Sequence, residues 1–384
     1  MQNKKIVFLI NSLDGGGAER VVSTLLNHFV NDYECCLILM ENKISYDLDS
    51  RINIIHLNES QNQNGIVKLL RLPIIAYKLY RIIKDNNIAQ IISFLHRANY
   101  VNAISKYISS HQVILSERIA SSSIYSDNSI TSKISKYLIK KLYSKADLII
   151  PVSKAIKNDL VNNFNIKVKQ EVIYNPYDIE NIKILSKENI DIKIQKEKSI
   201  ITVGSLQKRK NHSLLINAFS KIENNEYKLY ILGIGNEEDN LKLLTKELNI
   251  ENRVIFLGFD NNPYKYLSRC SIFVLSSNSE GFPNVLAEAM VCGCSVISTD
   301  CLSGPREILA PNSDVEFQLK DKNELAQFGI LTPINNIQKM TESINLLIKT
   351  DSILNSYSKK SIERSNDFNI EKIVNEYIKV LKVD

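Results

Sequence analysis

The chain alternates short apolar runs with longer stretches in which apolar residues recur at helical spacing. An unbroken apolar run between polar residues is typical of a buried strand, and the stretches between such runs indicate connecting helices. Repeated alternation of this kind favours parallel sheets. The predicted strands lie at 6–10, 35–40, 91–94, 113–115 and 148–151, and the pattern restarts with 200–203, 227–232, 254–257, 272–275 and 296–298.

Helices are predicted after most of these strands, at 18–30, 66–85, 100–108, 131–143, 212–222, 237–248, 263–269, 284–292, 324–328 and 370–381. Residues 181–198 are polar and weakly patterned, which indicates a connection, with a domain boundary near Asn175-Pro176. A chain of 384 residues is long enough for two domains of ordinary size. We therefore predict an α/β protein with domains 1–178 and 179–365 and a final helical segment, 366–384.

Cysteine usage and hydropathy limit the class of protein. The six cysteines are Cys35, Cys36, Cys270, Cys292, Cys294 and Cys301. They match no zinc-site spacing, which predicts buried, reduced thiols in a cytoplasmic protein. The chain contains no run of 18 apolar residues, so no membrane-spanning helix is predicted. The N-terminus leads straight into the first predicted strand, which indicates a strand rather than a secretory leader.

The net charge of +6 is concentrated in one stretch. Residues 64–145 carry 13 Lys and Arg against three Asp and Glu, a net charge of +10, whereas 179–384 carry 26 against 27, a net charge of −1. Two predicted helices there are amphipathic, and one carries Lys133, Lys136, Lys140 and Lys141 on a single side. This pattern predicts contact with anionic lipid, or an ordinary solvated face. No interleaved aromatics or recognition motif accompany the charge, so nucleic acid is not an expected partner.

A glycine-rich loop, Gly15-Gly16-Gly17, follows the first predicted strand and precedes the first helix. Glycines allow the backbone to approach a ligand closely. A dinucleotide fingerprint needs a third glycine where this chain has Arg20, although Glu41 could act as the ribose acid. A nicotinamide-dependent oxidoreductase and a purely structural turn therefore remain alternatives.

The segment 276–290 is the most informative part of the chain. Glu280 and Glu288 stand eight positions apart and enclose Gly-Phe-Pro. Pro283 suits the first position of a helix, so Glu280 is predicted in a strand-to-helix loop and Glu288 on the helix. The free N–H groups at that helix start would favour a phosphate.

Residues 279–290, Ser-Glu-Gly-Phe-Pro-Asn-Val-Leu-Ala-Glu-Ala-Met, resemble the E-x7-E signature of the retaining family 4 glycosyltransferases. The resemblance spans both halves and is tightest over 200–310. It implies the GT-B fold, with two Rossmann-like doubly wound domains facing a central cleft. The first domain would bind the acceptor and the second the nucleotide sugar, and the C-terminal helix would cross back to the first domain.

The resemblance also implies a role for individual residues, with Glu280 as the catalytic residue. The donor phosphates are expected at Gly16, Gly17, Arg209, Lys210, Asn284 and Val285, the donor sugar at Gly281 and Phe282, and the nucleoside at Gly258, Phe259 and Glu288. The acceptor side is expected at His96, Glu117 and Arg118.

Two positions, Ser205 and His96, leave alternatives open. Ser205 stands where the family has an arginine, so that Lys208 or Arg209 would replace it; a solvated basic turn is the alternative. For His96 the alternative is a plain loop histidine.

The implied activity is transfer of a hexose or N-acetylhexosamine from a UDP-sugar to a growing, lipid-linked bacterial glycan of the lipopolysaccharide or capsule type. The resemblance implies no cofactor and no metal. The expected location is the cytoplasm, peripheral on the inner face of the cytoplasmic membrane. A non-catalytic, sugar-binding partner subunit is a further alternative.

Overall fold

The structure is a computed structural model that describes residues 5–61 and 64–381. The chain divides into two compact units: Met1–Pro176 with Ile370–Asp384, and Tyr177–Asn369. The junctions lie beside the predicted boundaries at 178 and 365. The extreme ends of the predicted first domain and final segment, 1–4 and 382–384, lie outside the described residues.

Unit 1 contains, in its described part, a six-stranded parallel sheet of order β3-β2-β1-β4-β5-β6. Its strands are β1 Lys5–Ile10, β2 Glu34–Glu41, β3 Asn53–Glu59, β4 Gln90–Phe94, β5 Gln112–Glu117 and β6 Leu148–Pro151. Its helices are α1 Gly17–Phe29, α2 Gly65–Leu70, α3 Leu72–Asp85, α4 His96–Ser105, α5 Ser121–Ile124, α6 Ile130–Leu138, α7 Lys154–Phe164 and α16 Ile370–Leu381. A π-helical turn, Ile139–Tyr143, continues α6.

Both faces of this sheet are covered by hydrophobic packing. Side chains of α3, α4 and α7 pack on one face, and those of α1 and α16 on the other. Cys36 faces the first layer and Cys35 the second, because successive strand residues point to opposite faces. Tyr377 of α16 is fully buried and makes an edge-to-face contact with Phe29 of α1. The final helix therefore completes the core of the first domain, as expected.

Unit 2 is built in the same way on a seven-stranded sheet of order β12-β13-β11-β10-β7-β8-β9 within the described residues. Only the β12–β13 pair is antiparallel. Its strands are β7 Ser199–Val203, β8 Lys228–Leu232, β9 Val254–Gly258, β10 Ile272–Leu275, β11 Ser295–Thr299, β12 Glu324–Leu325 and β13 Ile330–Thr332. Its helices are α8 Ile179–Leu185, α9 His212–Phe219, α10 Glu238–Glu247, α11 Tyr264–Leu267, α12 Asn284–Val291, α13 Pro305–Leu309, α14 Ile337–Lys349 and α15 Asp351–Ser365.

Each sheet has a topological switch point, where the strand order reverses. In unit 1 it lies between β1 and β4, and in unit 2 between β7 and β10. Ligands of doubly wound sheets bind at the carboxyl ends of the strands at this point. The predicted α/β architecture of two doubly wound domains is confirmed.

Several predicted elements need correction. The helix predicted at 324–328 is wrong: Glu324 and Leu325 form β12, which pairs with β13. The single helix predicted at 66–85 is two helices, because Pro73 has no N–H to continue the hydrogen-bond ladder across Arg71. Pro283 is the residue before α12 and not its first helical residue.

Other elements are absent from the sequence prediction. They are the strands β3 and β13 and the helices α5, α7, α13, α14 and α15. Helix α8 begins just before the predicted connection 181–198 and continues into it. Helix α4 starts at His96 rather than at residue 100.

Candidate active site

The switch point of unit 2 brings together the loops that follow β7 and β10. The two strands are paired neighbours, with Ile272 opposite Ile200, so their exit loops lie side by side. Lys210, in the first loop, donates a hydrogen bond from Nζ to Oε1 of Glu280, in the second, at 2.6 Å. The Arg209 guanidinium lies 3.4 Å from Oε2 of Glu280 and donates to the Ser279 carbonyl at 2.8 Å.

The environment of Glu280 keeps it ionised. Its side chain is buried, which by itself would raise the pKa, but the charges of Lys210 and Arg209 outweigh burial and hold the pKa below its ordinary value. The hydroxyl of Ser277 donates a further hydrogen bond to Oε1 at 2.6 Å. Two cations against one carboxylate leave a local positive charge, which suits a phosphate group.

Glycines determine how closely the neighbouring loops pack. A Cβ atom on Gly233 would lie 2.0 Å from the Gly204 carbonyl oxygen, and one on Gly235 would lie 2.3 Å from that of Leu206. The loop after β8 is therefore pressed against the loop that carries Lys210. Sequence analysis missed these two glycines, although Gly233-Ile234-Gly235 directly after a predicted strand was a visible signal.

The second glutamate of the segment lies on α12. Glu288 is buried and accepts a hydrogen bond from the Tyr264 hydroxyl at 3.3 Å. At the start of the helix, Asn284 accepts from the Tyr177 hydroxyl at 3.0 Å, and Val285 is half-buried. Both glutamates thus occupy the predicted types of element, one in the loop and one on the helix.

The remaining predicted donor residues of unit 2 differ in exposure. Gly281 is buried, and the Phe282 ring packs edge-to-face on Phe368 and is part of the core of unit 2. Gly258 has φ +70°, and its carbonyl accepts from the Gly233 amide, while the Phe259 side chain is 66% exposed.

Gly16 and Gly17 belong to unit 1, unlike the rest of the predicted phosphate set. Gly17 begins α1, and the carbonyl of Gly16 accepts from the Tyr46 hydroxyl at 2.9 Å. Glu41, the ribose acid of the oxidoreductase alternative, is engaged elsewhere: its Oε1 accepts from Lys68 and Arg97 at 3.1 and 2.8 Å.

A largely buried polar cluster lies at the carboxyl ends of β4 and β5, next to the switch point of unit 1. His96 Nε2 lies 2.8 Å from Oε1 of Glu117 and 2.9 Å from the Ser121 hydroxyl, and its Nδ1 lies 3.2 Å from the Tyr125 hydroxyl. The Tyr143 hydroxyl donates to Oε2 of Glu117. Burial lowers the pKa of His96, but the carboxylate of Glu117 outweighs burial and raises it overall. The structure thus joins two of the predicted acceptor-side residues, His96 and Glu117, in an ion pair.

Two further features lie at this end of the first sheet. Leu95, directly before His96, has φ +72°, a backbone conformation that is strained for leucine and is found most often at functional sites. Arg118, the third predicted residue, is buried and turned towards Asn175, to which it donates a hydrogen bond, and towards the Phe94 ring.

No group of three or more His, Cys, Asp or Glu side chains within 5–61 and 64–381 has the geometry of a metal site. In the same part of the chain, no helix combines the length and the apolar character that crossing a bilayer requires.

Sequence comparison identifies the family. Residues 186–364 match the family model described as "Glycosyl transferases group 1", and residues 15–181 match "Glycosyltransferase Family 4". The chain is 38% identical over 381 residues, 98% of its own length and 99% of the relative's, to a Campylobacter jejuni enzyme. That enzyme is the N-acetylgalactosamine-N,N'-diacetylbacillosaminyl-diphospho-undecaprenol 4-alpha-N-acetylgalactosaminyltransferase. The chain belongs to the glycosyltransferases.

Other relatives of this glycosyltransferase agree with that assignment. It is 27% identical to the lipopolysaccharide 1,6-galactosyltransferase of Escherichia coli K12, over 62% of this chain and 70% of that protein. Among solved structures, Anabaena HepE in complex with UDP superposes with a TM-score of 0.75 at 20% identity, covering 99% of this chain and 100% of that one. Sucrose-phosphate synthase from Thermosynechococcus elongatus gives a TM-score of 0.80 at 16% identity, over 99% and 98%. At these identities the structures show the fold, which is GT-B.

Proposed function

We propose that this glycosyltransferase moves a hexose or N-acetylhexosamine from a UDP-sugar to a lipid-linked bacterial glycan, with retention of configuration at the anomeric carbon. The observation that carries the proposal is the Lys210–Glu280 pair at the switch point of unit 2, beside the start of α12. It provides positive charge for a diphosphate next to a carboxylate that can accept hydrogen bonds from sugar hydroxyls. Such an arrangement suits a sugar diphosphate better than a simple phosphate or a neutral sugar.

In the proposed reaction, the bond between the anomeric carbon and the diphosphate oxygen breaks while the acceptor hydroxyl attacks from the same face. The acceptor proton passes to an oxygen of the departing diphosphate. Lys210 and Arg209 stabilise the negative charge that develops on the diphosphate. Glu280 orients the donor sugar and stabilises the positive charge that develops on its ring.

The decisive experiment is to measure turnover and the stereochemistry of the product. A panel of UDP-Gal, UDP-Glc, UDP-GalNAc and UDP-GlcNAc is offered with an undecaprenyl-diphosphate-linked saccharide ending in N-acetylgalactosamine, the acceptor class in the name of the Campylobacter relative. We expect one donor to be used and the product linkage to be α by the anomeric proton coupling. A β linkage would overturn retention, and no transfer from any donor would favour the non-catalytic sugar-binding alternative.

Glu280→Gln tests the catalytic residue. We expect nearly unchanged UDP binding and a turnover lower by about a hundredfold, the effect of losing one oriented electrostatic group. Unchanged turnover would remove Glu280 from the mechanism. Reduction of a nicotinamide cofactor, followed by absorbance, is the corresponding test for the oxidoreductase alternative.

We also propose that the reaction needs no metal ion, since Lys210 and Arg209 supply the charge that a divalent ion would otherwise provide. Activity is expected to survive an excess of EDTA. Loss of activity that added magnesium restores would contradict this proposal.

Finally, we propose that unit 1 rests on an anionic membrane through α2, α3 and α6. Exposed apolar side chains project from these helices beside their lysines; they include Ile66, Leu70, Ile74, Ile130 and Tyr137. The segments pack on the same face of the first sheet, since α3 and the turn after α6 share one core layer. Apolar side chains among basic ones are what an interfacial helix presents to lipid. This surface would keep a cytoplasmic enzyme at the inner face of the membrane, where a lipid-linked acceptor is found.

A further inference from the structure

The segment Ser303-Gly304-Pro305-Arg306-Glu307 follows β11, and nothing in the proposed mechanism uses it. Strand β11 pairs with β10 on the side opposite β7. The loop that carries Glu280 therefore has one neighbouring loop on each side. Lys208–Lys210 lies on one side, and residues 300–304 lie on the other.

The second neighbour touches the Glu280 loop at the main chain. The hydroxyl of Ser303 donates a hydrogen bond to the carbonyl oxygen of Glu280 itself. A Cβ atom on Gly304 would lie 2.5 Å from Cδ of Pro283 and 2.9 Å from the Gly281 carbonyl oxygen, so only glycine allows this approach. Thr299, at the end of β11, adds a hydrogen bond of 2.5 Å to the Ser277 carbonyl.

The turn that presents Ser303 is itself held rigidly. Arg306 forms a bidentate, buried ion pair with Asp300, at 3.0 and 2.7 Å, which closes the turn between the two residues. Within it, Ser303 has φ +63° and is buried. A non-glycine residue in this strained conformation persists only where its surroundings stabilise it.

We propose that Ser303 is a positioning residue for Glu280. The inference rests on the function proposed above. Ser303 holds the Glu280 main chain from the β11 side, Lys210 holds the carboxylate from the β7 side, and Ser277 holds it from within the same loop. A carboxylate that must meet a developing charge acts efficiently only in a fixed position. With the Ser303 hydrogen bond lost, Glu280 keeps its charge and its ion pair but not its alignment.

The test uses a set of three substitutions. Ser303→Ala and Ser303→Gly both remove the hydroxyl, but glycine tolerates the positive φ and alanine does not. Ser303→Thr keeps the hydroxyl while adding backbone strain. We expect kcat to fall about tenfold in the alanine and glycine variants and to be largely restored in the threonine variant, with KM for the UDP-sugar and UDP affinity within about twofold of the parent.

Stability provides a contrast. If the role of Ser303 is purely structural, kcat should follow the melting temperature, and Ser303→Gly should be more active than Ser303→Thr. The positioning role predicts the reverse, with Ser303→Thr more active than Ser303→Gly. The matched control is Ser343→Ala. The Ser343 hydroxyl is buried in the same unit and makes no hydrogen bond to another described residue, so kcat should not change.

A double-mutant cycle separates this inference from the proposed function. If Ser303 acts through Glu280, Ser303→Ala has little further effect on kcat in the Glu280→Gln background. Full additivity, or unchanged kcat in the Ser303 variants while Glu280→Gln is impaired, would overturn the positioning role alone. If Glu280→Gln is itself fully active, the role proposed for Glu280 fails first.

Discussion

At the scale of the residue, the site depends on which side chains contact each carboxylate oxygen of Glu280. Oε1 of Glu280 accepts from Lys210 and Ser277, while Arg209 lies near Oε2 and also binds the main chain. Lys210 is mostly shielded from solvent, whereas Arg209 and Lys208 are exposed. The shielded cation is the one whose contact with a ligand should contribute most, because solvent weakens exposed pairs.

Lys210→Ala is expected to weaken the binding of both UDP and the UDP-sugar by about 1.5–3 kcal/mol, the range for a charge-assisted hydrogen bond. Isothermal titration calorimetry measures both affinities. Lys208→Ala, on the same turn, is the control and should bind almost as the parent does. A large loss in the Lys208 variant and none in the Lys210 variant would show that Lys208 replaces the missing family arginine.

His96 gives a prediction for pH. Its folded-state pKa is raised by Glu117, so its contribution to stability is fully present below the unfolded-state pKa of about 6.5 and is lost as pH rises through the higher folded-state value. The difference in melting temperature between the parent and His96→Gln should therefore be larger at pH 6 than at pH 9. Melting curves at several pH values measure it.

His111 serves as the control of opposite sign. Burial lowers the pKa of His111 to about 4, so its neutral form is the stabilising one. His111→Gln should cost more stability at pH 8 than at pH 5. If the two variants show the same pH trend, the His96–Glu117 ion pair does not govern the titration of His96.

At the scale of the element, loops rather than strands determine the geometry of the site. The loops that follow β7, β8, β10 and β11 contact one another at glycine and serine residues. Gly204 lies against Gly233, and Ser303 binds the main chain of Glu280. Strand order decides these contacts, since each loop meets the one that follows the adjacent strand.

Gly233→Ala tests this packing. The new methyl group would meet the Gly204 carbonyl oxygen, and alanine would also be strained at φ +147°. We expect a loss of roughly 1–3 kcal/mol in unfolding free energy and weaker UDP binding, because the loop that carries Lys210 must move. Chemical denaturation and calorimetry measure the two effects.

The matched substitution is Gly65→Ala at the start of α2, where a Cβ atom would meet nothing within 4 Å. It should be neutral or slightly stabilising. Equal effects at the two positions would mean that close packing is not what requires Gly233.

At the scale of the whole molecule, the chain folds as two units with different charge. The last helix, α16, returns to unit 1 and supplies Ile373, Val374 and Tyr377 to its core. The stretch of net charge +10, residues 64–145, lies entirely in unit 1. This difference in charge favours unit 1 over unit 2 as the part that faces an anionic membrane.

Replacing Lys133, Lys136, Lys140 and Lys141 with Gln is expected to release the enzyme from vesicles of phosphatidylglycerol and phosphatidylcholine, since each basic residue near such a surface contributes about 1 kcal/mol. Binding by the parent should also weaken as salt rises. Vesicle sedimentation measures both. Transfer to a lipid-linked acceptor should slow, while transfer to a short soluble acceptor should be nearly unchanged.

The control carries the same change in charge on unit 2, with Lys246, Lys320, Lys322 and Lys359, all exposed, replaced by Gln. It should bind vesicles as the parent does. Absence of binding by the parent at low salt would show that the basic surface is simply solvated.

The sequence by itself determined what depends on neighbours along the chain. Apolar runs placed ten strands, the helical pattern of 370–381 matched α16, and the segment 279–290 placed Glu280 in a loop and Glu288 on a helix. Local pattern suffices there because periodicity and turn residues are properties of consecutive positions.

Only the tertiary structure decided what depends on strand order and packing. The prediction of a helix at Glu324 is wrong because β12 exists only as a partner of β13, which is itself held in the sheet by β11. The ion pair of His96 with Glu117, the approach of Gly233 to Gly204 and the hydrogen bond from Ser303 to Glu280 each join residues about twenty or more positions apart. Their geometry follows from which strands are adjacent, and that adjacency is set by the packing of the whole domain.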